Sequence, residues 1–265
     1  MEETMSLILS QTDGAVTTIT LNRPEKLNAM FGTMREELIE AIGRADREPA
    51  TQVVILTGAG RGFCAGGDVA YMQGLQERND LPSFRKLLDA GREIVTRIRS
   101  SDKFFIAAVN GVAAGAGCNL ALACDYRIAS ETAKLGQTFV KIGLHPDWGG
   151  TFFLPRLVGT SRALEILTTG RMVDAQEALG LGMIDRIVEA DQLMDNATAL
   201  ARAIAAGPPI AIAAIKRAVY ESEKNSLEAQ LDLETEHQTR AFQSADSAEG
   251  MKAFFEKRTP EFQGR

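Results

Sequence analysis

An α/β fold built on parallel strands is what this sequence predicts, and three observations predict it. Val53 to Thr57 and Phe105 to Val109 are continuous apolar runs, the form taken by strands that are covered on both faces. Each run ends in a glycine-rich turn, and a stretch of helical periodicity separates the two. Hydrophobic residues make up 45% of the 265 positions, enough to fill a large core.

Taken in order, Leu7 to Gln11 and Ala15 to Leu21 are short runs rich in Val, Ile and Thr around Asp13-Gly14, which predicts a hairpin. Thr33 and Glu36 have the spacing of a capping box, and Met34, Leu38, Ala41, Ile42 and Ala45 recur at helical period as far as Pro49. The Val53 strand leads into a glycine loop from Gly58 to Gly67. Phe84, Leu87, Leu88, Gly91, Ile94, Val95 and Ile98 mark the next helix, and the strand after it ends at Asn110-Gly111. Asp125 to Ala129 and Met183 to Val188 read as strands, and Asp174 with Glu177 caps a short helix. Gln192 to Ala206 is a helix that stops at Gly207-Pro208-Pro209. Beyond it, Ile210 to Glu223, Ser226 to about Phe242 and Ala245 to Arg258 are helical. The chain therefore divides into an α/β core, 1–206, and a helical lobe, 207–265. Three helices do not readily close a core alone, so this lobe is expected to pack on the core or on another subunit.

A formal charge of −6 and a pI near 5.2 supply no basic field for a phosphate backbone, so nucleic-acid binding is not expected, while a local basic pocket for a small anionic cofactor stays open. Phe104 to Cys124 carries no charge, but its glycines and asparagines fit a buried strand, a loop and a buried helix better than a membrane span. The acidic Met1-Glu2-Glu3-Thr4 start, without a basic and then apolar segment, leads to the expectation of a cytoplasmic protein. Cys64, Cys118 and Cys124 lack zinc-ligand spacing and read as reduced core thiols, and two histidines, His145 and His237, do not make a histidine-rich metal site.

Two places could carry chemistry. Asp147 lies between Gly143 and Gly149, after Pro146 and beside the single tryptophan, Trp148. Surroundings that are partly dry would raise its pKa toward values useful in proton transfer, although Pro-Asp-Trp-Gly also suits a plain turn. The loops Phe63 to Asp68 and Gly111 to Gly117 follow buried strands and would expose backbone N–H groups. One N–H from each, converging on a carbonyl oxygen, would make an oxyanion hole, with each donor typically worth ~2.7–4 kcal/mol in the transition state. The same glycines would also serve tight turns and close packing. Neither loop completes a phosphate-loop or dinucleotide fingerprint, so NAD is not expected.

Asn22-Arg23-Pro24 through Leu27-Asn28-Ala29, the Cys64 to Asp68 loop, the Asn110 to Cys118 loop, and Pro146 with Gly149-Gly150 together resemble the enoyl-CoA hydratase/isomerase, or crotonase, superfamily over essentially the whole chain. The resemblance implies a spiral of ββα units with a C-terminal helical trimerisation lobe, a trimer or dimer of trimers, an acyl-CoA thioester substrate, and no cofactor beyond the coenzyme A of that substrate. It implies that the N–H groups of Ala65 and Ala116 form the oxyanion hole, and that Ala65, Gly66, Gly67 and Asp68 line the adenine and pantetheine path. Lys26, Leu27 and Lys257 are implied as coenzyme A contacts, the last from a neighbouring subunit.

The two glutamates that activate water in hydratases of this family fall on Asn119 and Phe139. Asp147 instead matches the acid of isomerases of the phenylacetate pathway. The expected activity is proton transfer between carbons, or assistance to epoxide opening, with Trp148, Phe139 and Phe152 as walls. Three alternatives stay open: a hydratase using another water-positioning group, a dehalogenase-like attack by Asp147, and an acyl-CoA-binding protein without turnover.

Overall fold

In the computed structural model, which describes residues 6–265, the chain alternates between two sheets. Hairpin strands β1 (Ile8–Asp13) and β2 (Val16–Leu21) pair antiparallel, turning at Gly14 with φ +55°. After α1 (Met34–Arg47), strand β3 (Val53–Gly58) joins β2 in parallel and β4 (Gly62–Cys64) opens the second sheet. Helices α2 (Val69–Glu77) and α3 (Leu81–Ser100) follow. The pattern repeats as β5 (Phe104–Val109), β6 (Val112–Ala114) and α4 (Ala116–Ala123), then as β7 (Tyr126–Ser130) and β8 (Lys134–Gly136). A 3-10 turn, Thr138–Ile142, leads to the Asp147 segment, α5 (Gly150–Val158) and α6 (Thr160–Thr169). Strand β9 (Met172–Asp174), α7 (Ala175–Leu181), β10 (Arg186–Val188) and α8 (Leu193–Ala205) complete the core. Helices α9 (Pro209–Glu221), α10 (Leu227–Phe242) and α11 (Ala245–Glu256) end the chain.

The large sheet has the order β1-β2-β3-β5-β7-β10 and is parallel from β2 onward; the small one is β4-β6-β8-β9. The three middle steps of the spiral, β3-β4, β5-β6 and β7-β8, are therefore each a strand in the large sheet, a strand in the small sheet, and then helix or turn. The all-apolar strands follow from this arrangement. Val53, Ile55, Ile106, Ala108 and Ile128 face Leu193, Ala197 and Ala201 of α8, whereas Val54, Leu56, Phe105, Ala107 and Val109 face the main core with α1, α3 and α4.

Several sequence expectations change. The two glycine loops are not wholly loops, because Gly62–Cys64 and Val112–Ala114 pair as strands, and the Met183 to Val188 strand shrinks to Arg186–Val188. Thr33 makes no capping bond; its hydroxyl donates to Glu37 at 2.7 Å, and Glu37 also accepts from the N–H groups of Leu7 and Ile8, pinning the hairpin to α1. The Asp174 cap on the Glu177 N–H forms as expected, at 2.9 Å. Among the described residues no single helix is long and apolar enough to cross a membrane, and Phe104 to Cys124 is β5, β6 and α4.

Candidate active site

The segment carrying Asp147 is fastened by its backbone. Asn119 of α4 is fully buried, donates from Nδ2 to the Asp147 carbonyl at 2.8 Å, and accepts at Oδ1 from Gln137 Nε2 at 2.6 Å. The Gly150 N–H bonds the same carbonyl at 3.0 Å. The turn needs left-handed backbone at Trp148, φ 48°, an uncommon state for a bulky residue that persists only where packing enforces it. Packing does so here: the indole fills the space above Gly91 of α3, where any Cβ would collide with Trp148 Nε1.

The Asp147 side chain reaches a cavity of about 350 Å³ between α1, α3, the two glycine loops and the 3-10 turn. Its walls include Met72, Phe84, Leu87, Leu88, Phe139 and Trp148, so they are largely apolar. Val69, Met72, Phe84, Ile142 and Leu144 also wall a second cavity of about 500 Å³. Among the described lining residues Asp147 is the one carboxylate. Burial raises its pKa to about 6, against the opposing charges of Arg35 and His145 and a bond to its own backbone N–H. Oδ1 is buried without a hydrogen-bond partner.

The glycine loops serve both packing and exposure of N–H groups, at different residues. A Cβ on Gly117 would overlap the Cys64 carbonyl, so this glycine lets the loops touch. Asn28 and Asn110 hold the Gly58–Gly62 bend by donating to its carbonyls, which gives the Leu27-Asn28-Ala29 motif a local purpose. Ala116 is the first residue of α4, and its N–H has no intrahelical acceptor.

The other expected donor must be corrected. Ala65 N–H is bonded to the Leu27 carbonyl at 2.9 Å and is not free for a ligand. Two residues on, Gly67 faces Met30 across a parallel bridge made by the Met30 and Asp68 N–H groups, which leaves the Gly67 N–H without a protein acceptor. Gly66, at φ +96°, turns the loop so that its own Cβ position lies 3.6 Å from the Ala116 nitrogen. Gly67 and Ala116 thus each present an N–H without a protein acceptor on the cavity wall.

Of the other expected residues, Ala65, Gly66, Gly67, Ala116, Phe139 and Trp148 line the cavity. Asp68 does not: its carboxylate caps α2 through the Tyr71 N–H and pairs with Arg23 at 2.7 Å. Leu27 acts through its carbonyl, Lys26 is exposed on a one-turn helix, and Lys257 is exposed at the end of α11, so none of the three lines the cavity. Phe152 is also outside it, half-exposed beneath Arg156. Burial raises the Cys64 thiol to about 11 and those of Cys118 and Cys124 to about 12, so all three are inert core thiols.

Arg35 is the cavity residue that sequence reasoning missed. It is 4% exposed, and its guanidinium has one protein acceptor, the Met30 carbonyl at 3.3 Å. The signal was present, because position 35 shares a helix face with Leu38, Ile42 and Ala45.

A two-sheet ββα spiral around such a cavity is the architecture of crotonase-type enzymes, and comparison with known proteins agrees. A family model described as enoyl-CoA hydratase/isomerase matches residues 11–265. The 1,2-epoxyphenylacetyl-CoA isomerase of Escherichia coli (strain K12) is 42% identical, over 98% of this chain and 100% of the relative. The short-chain-enoyl-CoA hydratase of Clostridium acetobutylicum is 36% identical over 95% of both. The crystal structure of an enoyl-CoA hydratase from Bacillus anthracis superposes with a TM-score of 0.91 at 36% identity, covering 98% of this chain and 100% of that one. The chain belongs to the enoyl-CoA hydratase/isomerase family.

Proposed function

We propose that this protein is an acyl-CoA isomerase in which Gly67 and Ala116 donate their N–H groups to the thioester oxygen and Asp147 moves the proton. The carboxylate takes a proton from an acyl carbon, the electron pair is held on the thioester oxygen, and the same proton is returned to another carbon or assists epoxide opening. The observation that carries this reading is the single half-buried carboxylate on the wall, with a pKa near 6, where hydratases would present paired glutamates. Asn119 is occupied in holding the Asp147 carbonyl and Phe139 is an apolar wall, so neither residue supports water activation. The likeness to the Escherichia coli isomerase supports the same reading.

The test is proton exchange at the acyl carbons in heavy water, followed by NMR with enoyl- and arylacetyl-CoA thioesters. Exchange or double-bond migration is expected for the wild type and is lost in Asp147→Asn. Hydration of crotonyl-CoA without exchange would instead favour a hydratase. Ala116→Pro deletes one donor at a position where helices tolerate proline, and a loss of about 10²–10³ in rate is expected.

The assembly we propose is a homotrimer or dimer of trimers. Ile215, Val219, Leu231 and Phe242 are exposed apolar residues on α9 and α10, and Phe254 and Phe255 on α11 are more than three-quarters exposed. Sedimentation would read the assembly, and coenzyme A affinity of Lys26→Ala and Lys257→Ala would test those two contacts.

A further inference from the structure

Arg35 is buried without the carboxylate partner that a buried arginine ordinarily needs. Its guanidinium carries five N–H donors, of which one finds an acceptor, and Nε is buried with none. Among the described residues no carboxylate lies within ion-pairing distance of it; Asp147 shares the cavity and feels its charge but forms no salt bridge with it. The neighbouring Cys64 thiol is neutral and cannot balance it. The rest of the cavity wall is apolar or glycine apart from Thr138 and His145, and Nη2 lies 3.7 Å from the Cβ position of Gly67.

We propose that Arg35 is a specificity-determining residue that selects acyl groups bearing a neutral oxygen acceptor close to the thioester. Resting on the acyl-CoA reading above, this narrows the substrate class from enoyl- or arylacetyl-CoA in general to those with a hydroxyl, carbonyl or ether oxygen within a few carbons of the thioester carbonyl. Two observations set those terms. The charges of Arg35 and Asp147 offset each other across one small cavity, so a neutral oxygen suits the gap better than a second carboxylate. The guanidinium lies beside Gly67, a proposed thioester-oxygen donor, so the acceptor it meets belongs to the near end of the acyl group. A buried polar group that a substrate must satisfy discriminates strongly against the analogue lacking the partner.

The experiment compares two ligands by titration calorimetry, 2-hydroxyphenylacetyl-CoA and phenylacetyl-CoA, with wild type, Arg35→Met and Arg35→Lys. Wild type is expected to bind the hydroxylated thioester about 10–100-fold more tightly, the range for a hydrogen bond to a charged donor. That ratio should collapse toward one in Arg35→Met and fall to an intermediate value in Arg35→Lys, with thermal melts reporting that each variant is folded. A wild-type ratio near one overturns the proposal whether or not either variant folds, and so does an unchanged ratio in folded Arg35→Met. Failure of wild type to bind either thioester removes the acyl-CoA reading and this inference with it, whereas tight binding of both with equal affinity removes the inference alone.

Discussion

Lys216 and Arg35 are both cations buried within the fold, at 8% and 4% exposure, yet their surroundings differ in kind. Lys216 of α9 spends its three ammonium protons on the Asp125 carboxylate at 2.9 Å, the Ile98 carbonyl at 2.9 Å and the Lys103 carbonyl at 2.7 Å. Asp125 in turn accepts from the Phe105 N–H and the Tyr220 hydroxyl, while Arg99 stacks 3.1 Å above the Tyr220 ring. That cluster is complete in itself and clamps the C-terminal helices to the end of β5. Around Arg35 and Asp147, by contrast, buried donor and acceptor atoms are left over. A polar group shut away from water without a partner costs free energy, so the incomplete cluster is the one shaped for something that arrives later.

Removing one member from each cluster should separate chemistry from stability. Asp147→Asn is expected to lower the exchange rate by about 10²–10⁴ while leaving the fold intact. Its stability should exceed that of wild type above pH 6. The raised carboxyl means the native state holds its proton more firmly than the unfolded chain, so wild type loses stability as pH climbs from about 4 to about 6, and the amide has no proton to lose. Denaturant melts of the two proteins at pH 4 and pH 7.5 would read the crossover. Lys216→Met should do the reverse, costing ~3–5 kcal/mol by stranding Asp125, with the exchange chemistry retained in the folded fraction. Equal loss of rate and stability in both variants would erase the contrast.

Smaller changes refine it. Tyr220→Phe removes one bond to a charged acceptor and should cost ~1.5–3 kcal/mol in urea melts without altering the pH dependence of the rate. The smallest effect is on that pH profile. The rate should rise with pH through about 6 as Asp147 ionises, and Arg35→Met should move this limb upward because an opposing positive charge is gone, leaving His145 as the other charge facing the carboxylate. A limb that stays in place would show that Arg35 and Asp147 do not share a field.

Much of this was legible in the chain. Continuous apolar runs announced the large sheet because both of its faces are covered, and the Asp147 turn was marked by its glycines, proline and tryptophan. The small sheet was not legible: its strands are three residues long, made of glycine and small side chains, and exist only because their neighbours pair with them. The choice between Ala65 and Gly67 as donor was equally hidden, since it depends on which N–H the Leu27 carbonyl captures. Arg35 was overlooked because charged helix residues are ordinarily assigned to the outer face; its register with Leu38, Ile42 and Ala45 said otherwise.

The seating of Trp148 over Gly91 has an optical consequence. It is the single indole of the chain, it is 5% exposed, and it forms part of the cavity wall next to Asp147. Intrinsic fluorescence excited at the indole band therefore originates at one known spot, so quenching or a shift of emission on mixing with a thioester would report events at the Asp147 end of the cavity without any attached dye. Stopped-flow recording of that signal would time ligand entry and departure separately from proton transfer.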